Sequence, residues 1–401
     1  MLWIKNGDVY APKALGLHDI LVSEGKTAGL FPPETLTAEQ LGKIDPDFLT
    51  LEADGCPVIP GIIDRHVHFN GAGGEGGPMY RTPPLQLSSF IRAGVTSAVG
   101  MLGTDGTCRS LRELLMKARG LEAEGISTWI LTGSYGIPSA TLTGGVMSDI
   151  CLIDKVIGLK MALSDHRGSH PSADEIRRAV SDARTGGMLA GKSGLVCVHM
   201  GTEATAYGPL LEALEKTDVP LSQFAPTHVS RCEALLKDSV GYGKRGGYLD
   251  ITAESDDNLD DKPDDTPRCE PSTRDAIRFL LAAGVPSRRI TLSSDGNGSM
   301  PRFDERGNFA GMGIGGIDAV LWTILSLWDE NRETILAMGT SNVAEHLGLK
   351  GKGCIGKDAD ADILVLAKSG GRPAWKLRHV VARGQVMMKD EIVVKNGTFE
   401  E

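Results

Sequence analysis

The sequence of 401 residues lacks the features that would place it at a membrane or on a nucleic acid. It has no run approaching the roughly 18 apolar residues that a membrane-spanning helix needs. Lys and Arg number 42 against 52 Asp and Glu, and this acidic balance argues against the basic face of a nucleic-acid binder. The start at Met1 shows no basic stretch followed by an apolar core, so we expect no signal peptide. We therefore expect neither a membrane nor a nucleic-acid partner.

Cysteine pairs at metal-binding or redox spacing are also missing. The seven Cys residues are an odd number and none forms a CxxC pair, which is typical of reduced thiols in a cytosolic protein, and we expect a cytoplasmic location. No GxGxxG motif follows the first central strand, so the chain lacks a dinucleotide-binding fingerprint. Glycine, by contrast, is abundant at 51 residues, and its aperiodic distribution predicts many tight turns and loops lined by backbone.

The centre of the chain alternates strand-like apolar runs with helical periodicity. One helical pattern covers residues 111–121 and is followed by Gly125, a typical stop signal. The strand-like runs are Val58–Ile63, Thr96–Leu102, Ser127–Leu131, Val156–Ala162, Leu195–His199, Phe224–His228, Gly247–Thr252 and Arg289–Ser293. Eight strands alternating with helices predict an α/β fold, a (β/α)8 TIM barrel at residues 57–351. A doubly wound parallel sheet is the alternative.

Both ends of the chain have the pattern of β-strands. Asn6-Gly7 is a strong hairpin dipeptide, and residues 23–26 predict a second turn. The C-terminal strands include one predicted at 380–386. Neither end is long enough to bury a good core alone. We therefore predict one discontinuous small β-sandwich domain, built from residues 1–56 and 352–401.

One segment is anomalous in charge. Residues 254–265 follow the seventh strand-like run and carry seven acids. A charge run of this kind is usually a solvated loop. The alternative is a mobile rim at the mouth of the barrel.

Six residues that can bind a metal stand at the ends of the predicted strands. Two of them, His66 and His68, are separated by one residue, so in a strand they point to the same side and can share one metal ion. The other four are Lys160, His199, His228 and Asp295. Because barrels of this kind carry their active sites at the carboxyl ends of the strands, we expect the six residues to converge on one metal site.

Lys160 is an unusual member of this set, because a charged ammonium repels metal ions. A neutral lysine amine, however, can add CO₂. The resulting carbamate is an anion with two oxygens, which can bridge two metals. A cationic cluster around Lys160 would depress the pKa of its amine and so favour this reaction.

These residues resemble a known family. Pro60–His68, with the sequence PGIIDRHVH, and the other four ligand candidates resemble the binuclear metal-dependent amidohydrolase superfamily. The resemblance is closer to the isoaspartyl (β-aspartyl) dipeptidases and covers essentially the whole chain. The stretches that carry it are Gly71–Pro78, Gly103–Asp105, Leu131–Tyr135, Ser164–Arg167, Pro226–Arg231 and Leu292–Ser299. Ala72 stands where we expect a glycine in that family.

The resemblance implies two Zn²⁺ ions per subunit and a set of ligands. The ligands would be His66 and His68 for the first zinc, His199 and His228 for the second, carboxylated Lys160 as the bridge, and Asp295 on the first zinc. Asp295 would also accept a proton. Substrate contacts are implied for Gly73, Gly74, Glu75, Thr104, Tyr135, Arg167, Arg231 and Ser299.

The side chains suit a small dipeptide whose aspartyl residue is linked through its side chain. Glu75 can pair with the α-ammonium of such a substrate, while the backbone N–H groups of its glycine-rich loop approach closely. Arg167 and Arg231 offer forked donors that suit the two carboxylates. These pairings favour a zwitterionic peptide as the substrate.

We therefore predict a zinc metallopeptidase that cleaves the isopeptide bond of β-aspartyl dipeptides. A metal-bridging hydroxide would attack the amide carbonyl, zinc and Tyr135 would stabilise the oxyanion, and Asp295 would pass the proton to the leaving amine. The alternatives are another amidohydrolase, such as a dihydroorotase, hydantoinase or N-acyl-amino-acid deacylase, and a non-catalytic scaffold that kept the barrel. We also expect a homo-oligomer.

Overall fold

The computed structural model describes residues 1–254, 271–303 and 309–400. The strands are β1 (Leu2–Tyr10), β2 (Ala14–Ser23), β3 (Lys26–Phe31), β4 (Leu49–Glu52), β5 (Pro57–Pro60), β6 (Ile62–Val67), β7 (Val95–Gly100), β8 (Ser127–Gly133), β9 (Val156–Leu163), β10 (Leu195–Met200), β11 (Phe224–Thr227), β12 (Leu249–Thr252), β13 (Ile290–Ser293), β14 (Ser299–Phe303), β15 (Phe309–Ile314), β16 (Ile363–Lys368), β17 (Trp375–Ala382), β18 (Gln385–Lys389) and β19 (Ile392–Val393). The α-helices are α1 (Ala38–Ile44), α2 (Leu87–Arg92), α3 (Leu111–Glu124), α4 (Val146–Leu152), α5 (Ala173–Ala190), α6 (Gly208–Leu214), α7 (Glu233–Lys244), α8 (Thr273–Ala282), α9 (Ala319–Ser326), α10 (Trp328–Met338) and α11 (Ser341–Leu347).

The strands β6 to β13 form a parallel sheet in chain order, with helices between them. The sheet closes because β13 packs beside β6, and Val67 pairs with Gly296 just beyond β13. This is the predicted (β/α)8 barrel, and the doubly wound alternative is wrong. None of the helices in the described part of the chain is long and apolar enough to cross a membrane.

The helix predicted at 111–121 shows how local sequence builds the barrel wall. In α3 the Ser110 hydroxyl accepts a hydrogen bond from the Glu113 N–H, which satisfies one donor of the first turn. Gly125 ends the helix with a φ of 133°, a conformation that glycine adopts without strain. The buried face is made by Leu111, Leu114, Ala118 and Leu121. The predicted periodicity and stop signal are both confirmed.

The strands from both chain ends form a separate sheet, in the order β19-β18-β17-β16-β5-β1-β2-β3, with β4 beside β1. The predicted separate β structure from both chain ends is present. Its nine strands, however, are hydrogen-bonded in one mixed sheet, whereas the predicted sandwich would have two sheets. β5 lies in this small sheet, and the first barrel strand is β6 at Ile62–Val67, so the strand predicted at Val58–Ile63 spans the junction. We propose that the small domain comprises residues 1–60 and 352–401 and that the barrel follows residue 60.

One turn prediction and one strand prediction differ from the structure. The hairpin at Asn6-Gly7 is wrong, because β1 continues through these residues with an irregularity in its pairing to β2. A Cβ on Gly7 would lie 2.4 Å from Val58 Cγ2, so close packing accounts for this glycine. The strand predicted at 380–386 contains a turn at Arg383-Gly384, between β17 and β18. The turn predicted at 23–26 is confirmed, and the acidic segment beyond Glu254 lies outside the described residues.

Lys352 joins the small sheet to the barrel. Its side chain is buried, and Nζ donates to Ser127 Oγ at 2.7 Å in the barrel strand β8. The same ammonium contacts Asp362 at 2.5 Å and Asp360 at 2.9 Å, just before β16. Asp362 is also buried, so the Lys352 ammonium supplies the positive charge that compensates its carboxylate.

Lys352→Met should therefore destabilise the protein by about 3–5 kcal/mol, because the substitution leaves a buried carboxylate without its cation. Urea unfolding measures this change. The control is Lys26→Met, which removes an exposed lysine paired with the same Asp360 and should cost about 0–1 kcal/mol. Equal losses in the two variants would show that burial of the pair has no special role.

Candidate active site

The centre of the site is a cluster of His66, His68 and Asp295 at the carboxyl ends of β6 and β13. Asp295 Oδ1 lies 3.3 Å from His66 Nε2 and 3.0 Å from His68 Nε2. One ligand atom from each residue falls within 4.8 Å of the others. Both histidines are buried. This is the expected geometry for three protein ligands around one metal ion.

The outer hydrogen bonds of these histidines decide which nitrogen carries a lone pair. His68 Nδ1 donates to the Met101 carbonyl at 3.0 Å. His66 Nδ1 lies 3.2 Å from Thr227 Oγ1, whose own hydrogen goes to Asp250, so the hydroxyl oxygen is the acceptor. Both Nε2 atoms therefore present lone pairs to the Asp295 carboxylate. Three acceptors facing one another require a cation, and this donor set fits a divalent metal.

The charge states agree with that conclusion. Burial holds the pKa of His66 well below its ordinary value, so its imidazole is neutral at pH 7. Burial opposes ionisation of Asp295, and since both neighbouring Nε2 atoms present lone pairs, a cation shared by the three groups is what favours the carboxylate. The backbone of Asp295 has a φ of 50°, an uncommon conformation for a residue other than glycine. Its placement between two histidines therefore depends on support from the surrounding structure.

His199 and His228 form a second pair beside the first. Their ring centres are 4.7 Å apart, and the ring of His228 lies 5.1 Å from that of His66. Burial lowers the pKa of His199 to about 3 and that of His228 well below its ordinary value, so both imidazoles are neutral at pH 7. His228 Nδ1 lies 2.6 Å from Thr252 Oγ1, so Nε2 is the ring nitrogen left for a metal.

Lys160 lies on β9, three residues before the end of the strand, beside His66 of the first pair. Its side chain is fully buried, and its Nζ is 3.2 Å from His66 Nε2. Within the described residues its other hydrogen-bond contact is with Cys197 Sγ at 3.9 Å. Burial lowers the pKa of Lys160, which favours the neutral amine that reacts with CO₂.

Glu75 occupies the outer part of the site and is held by three side chains. Its carboxylate accepts hydrogen bonds from Thr104 Oγ1 at 2.8 Å and from Ser299 Oγ at 3.0 Å. Arg167 Nη1 lies 3.5 Å from the same carboxylate. The preceding Gly73 and Gly74 have φ values of 80° and 105°, which favour glycine. The structure thus brings the sequence-predicted residues of this loop together.

Tyr135, Arg167 and Arg231 surround His199. The Tyr135 hydroxyl lies 2.7 Å from His199 Nδ1, and Arg231 Nη1 lies 3.2 Å from His199 Nε2. The Arg167 guanidinium is 5.6 Å from the centre of the Tyr135 ring. Burial raises the pKa of the Tyr135 phenol well above its usual value, so the hydroxyl remains a donor. The predicted residues on this side of the site therefore converge as well.

Two residues that contact the site were not predicted from the sequence. Asp165 accepts hydrogen bonds from Arg167 and contacts His199, and it lies in the stretch Ser164–Arg167 that carried the family resemblance. Arg109 is buried and donates to the carbonyls of Ala72 and Thr82, which anchors the loop that carries Glu75. A carboxylate two residues before a predicted substrate arginine was the available signal for Asp165.

The fold and site define a (β/α)8 barrel with a buried cluster of side chains that can bind a metal, and comparison with known proteins specifies the family. The model of the amidohydrolase family matches residues 58–395, and the chain belongs to this family. It is similar to a solved structure of β-aspartyl dipeptidase from Fervidobacterium islandicum AW-1 in complex with the β-Asp-Leu dipeptide. The identity is 39%, each chain is covered in full, and the TM-score is 0.87.

A second structure of the enzyme from the same organism has 37% identity, full coverage of both chains and a TM-score of 0.86. A D-hydantoinase structure is 16% identical over all of this chain and 98% of its own, with a TM-score of 0.67, which shows the shared fold alone. The predicted resemblance to the β-aspartyl dipeptidases is therefore confirmed, as is the prediction of a hydrolase.

His66→Asn should lower the metal content of the purified protein, because it removes one of the three ligands that share the Asp295 cluster. We expect a fall from about two metal ions per chain to one or fewer, measured by elemental analysis after dialysis. The matched control is His379→Asn, which changes a buried histidine of the small sheet. Equal metal loss in both variants would contradict the assignment of the ligand.

Proposed function

We propose that this chain is a binuclear zinc hydrolase that cleaves the isopeptide bond of β-aspartyl dipeptides. The observation that carries the proposal is that Glu75 lies beside Arg167, while Arg167 and Arg231 both approach His199 in the adjacent histidine cluster. An anion and two cations at the outer part of a metal site suit a zwitterionic peptide with one ammonium and two carboxylates. The similarity to a β-aspartyl dipeptidase solved with β-Asp-Leu supports the same substrate class.

In this proposal the charged groups of the substrate replace the contact between Arg167 and Glu75. The α-ammonium pairs with Glu75, which Thr104 and Ser299 hold in place. The carboxylates pair with Arg167 and Arg231. The backbone N–H groups of residues 73 and 74 lie in the same loop and can approach the peptide closely.

The residues proposed to hold the metal ions fall into two sets joined by a bridge. His66, His68 and Asp295 would hold the first ion, and His199 and His228 the second. Lys160 would link them after its neutral amine adds CO₂, which forms a carbamate and releases one proton. When bound, two metal ions supply Lewis acidity to the scissile carbonyl and lower the pKa of water so that hydroxide is available at neutral pH.

The protein's own side chains would then stabilise charge and move a proton. The Tyr135 hydroxyl, kept protonated by burial, donates a hydrogen bond to the oxygen of the amide carbonyl as negative charge develops on it. Asp295, ionised when the site holds its cations, accepts a proton from the attacking water and delivers it to the leaving amine nitrogen. The amine can then leave as a neutral group.

The test is hydrolysis of β-Asp-Leu beside α-Asp-Leu by the zinc-reconstituted protein, with hydantoin, dihydroorotate and an N-acyl amino acid as competing substrates. Cleavage of the β isomer alone supports the proposal. Turnover of a cyclic amide or an acyl amino acid, without cleavage of β-Asp-Leu, would instead assign one of the alternative reactions of the family. A cytoplasmic location and a homo-oligomer remain predictions.

Asp295→Asn should lower kcat for β-Asp-Leu by at least about 100-fold, because the amide cannot accept the proton that the leaving amine needs. The two histidines beside it should retain most of the metal, as measured by elemental analysis. The control is Asp154→Asn at an exposed position. Near-normal turnover in the Asp295 variant would exclude the proton-transfer role.

Arg231→Met should raise KM for β-Asp-Leu by about 10- to 100-fold, since a charge-assisted hydrogen bond contributes roughly 1.5–3 kcal/mol. The same variant should bind the C-terminal amide of β-Asp-Leu with little change relative to the wild type. Arg245→Met, at an exposed position, is the matched control. An equal rise in KM for acid and amide would remove the proposed contact with the C-terminal carboxylate.

A further inference from the structure

We propose that Asp165 is a positioning residue that ties the metal ligand His199 to the two substrate arginines. The inference extends the proposed function, and its physical basis is a single buried carboxylate that serves both halves of the site. Asp165 follows β9 by two residues and is 4% exposed. It therefore lies beyond the carboxyl end of β9, where its side chain reaches His199 of β10.

The first set of contacts holds Arg167 in one orientation. Asp165 Oδ1 accepts hydrogen bonds from the backbone N–H and the Nε–H of Arg167, each at 2.9 Å. Asp165 Oδ2 accepts from Arg167 Nη2 at 2.7 Å. This forked pair occupies one edge of the guanidinium and leaves Nη1 directed to Glu75. The remaining donor is thus aimed at the outer part of the site, where a substrate carboxylate would bind.

The second contact determines the tautomer of His199. Asp165 Oδ2 lies 2.9 Å from His199 Nε2, so the ring donates its Nε2–H to the carboxylate. Arg231 Nη1 and Arg167 Nη2 also approach this nitrogen, but at the longer distances of 3.2 and 3.5 Å. Arg167 Nη2 donates to Asp165 Oδ2 at 2.7 Å, and Arg231 Nη1 lies at ion-pair distance, 3.9 Å, from the same oxygen. The lone pair of His199 is consequently on Nδ1, which accepts a hydrogen bond from the Tyr135 hydroxyl at 2.7 Å and would bind a metal once that hydroxyl turns to the substrate.

One carboxylate therefore balances the charge of two arginines and orients a neutral metal ligand. A carboxylate that accepts the second N–H of a ligating histidine typically strengthens metal binding by 10- to 100-fold. If Asp165 acts in this way, its removal weakens one metal and the substrate contacts together. Removal of a residue that only stabilised the fold would not specifically weaken metal binding or substrate binding.

The experiment compares Asp165→Asn with the wild type and with Glu203→Gln, a control carboxylate that contacts His170 at the surface. Zinc affinity is measured by competition with a chelator, and kcat and KM for β-Asp-Leu are measured at saturating zinc. For Asp165→Asn we expect one of the two zinc ions to bind about 10- to 100-fold more weakly and KM to rise by at least about 10-fold. Asp165→Glu, which restores an anionic acceptor, should recover part of the zinc affinity.

Wild-type affinity for both zinc ions in folded Asp165→Asn would overturn the proposal. A measurement on the wild type covers the case in which the variant does not fold. The ¹⁵N chemical shifts of His199 in the metal-free protein should report the Nε2–H tautomer, and an Nδ1–H tautomer would contradict the proposal. The zinc affinity and the ¹⁵N shifts do not depend on the substrate. They therefore test the role of Asp165 separately from the cleavage of β-Asp-Leu.

Discussion

The contact between the Asp295 carboxylate and the imidazoles of His66 and His68 is the constraint around which the site is built. Asp295 follows β13 and the histidines lie at the end of β6, so this contact spans the seam where the barrel closes. The backbone N–H of His68 donates to the Gly296 carbonyl at 2.9 Å. Across the same seam, the Asp64 carboxylate accepts a hydrogen bond from the Ser294 hydroxyl. The site and the closure of the barrel therefore depend on the same residues. A change that opened the seam would separate the metal ligands.

A second requirement is that charge in a water-poor site be balanced by neighbouring groups. Burial keeps His66, His199 and His228 neutral, which gives the site its lone pairs. Asp250 orients His66 through Thr227. This buried carboxylate accepts hydrogen bonds from three hydroxyls, and one of them, that of Thr227, accepts the hydrogen bond from His66 Nδ1. Hydrogen-bonded polar groups therefore pack against the histidine cluster, and they hold its side chains in orientation in the absence of a ligand.

The barrel could be predicted because each strand is a short apolar run followed by a helical pattern. The first strand was misplaced because Pro57–Ile63 is one continuous apolar run. Periodicity alone does not reveal that β5 pairs in the small sheet and that the barrel strand β6 begins only at Ile62. Asn6-Gly7 predicts a hairpin from local geometry, yet β1 continues there because Val58 packs against Gly7. The metal candidates were found because they stand at strand ends. Asp165 was missed because its partner His199 is 34 residues away in the chain and meets it only in the fold.

The most direct test of this account is a crystal structure with anomalous diffraction recorded at the absorption edge of the bound metal. The account predicts two peaks about 3.5–4 Å apart, one beside His66, His68 and Asp295 and one beside His199 and His228. It also predicts density for a carbamate on Lys160 between them. A single peak in the active protein, or two peaks with an unmodified Lys160, would contradict the bridged pair of metals.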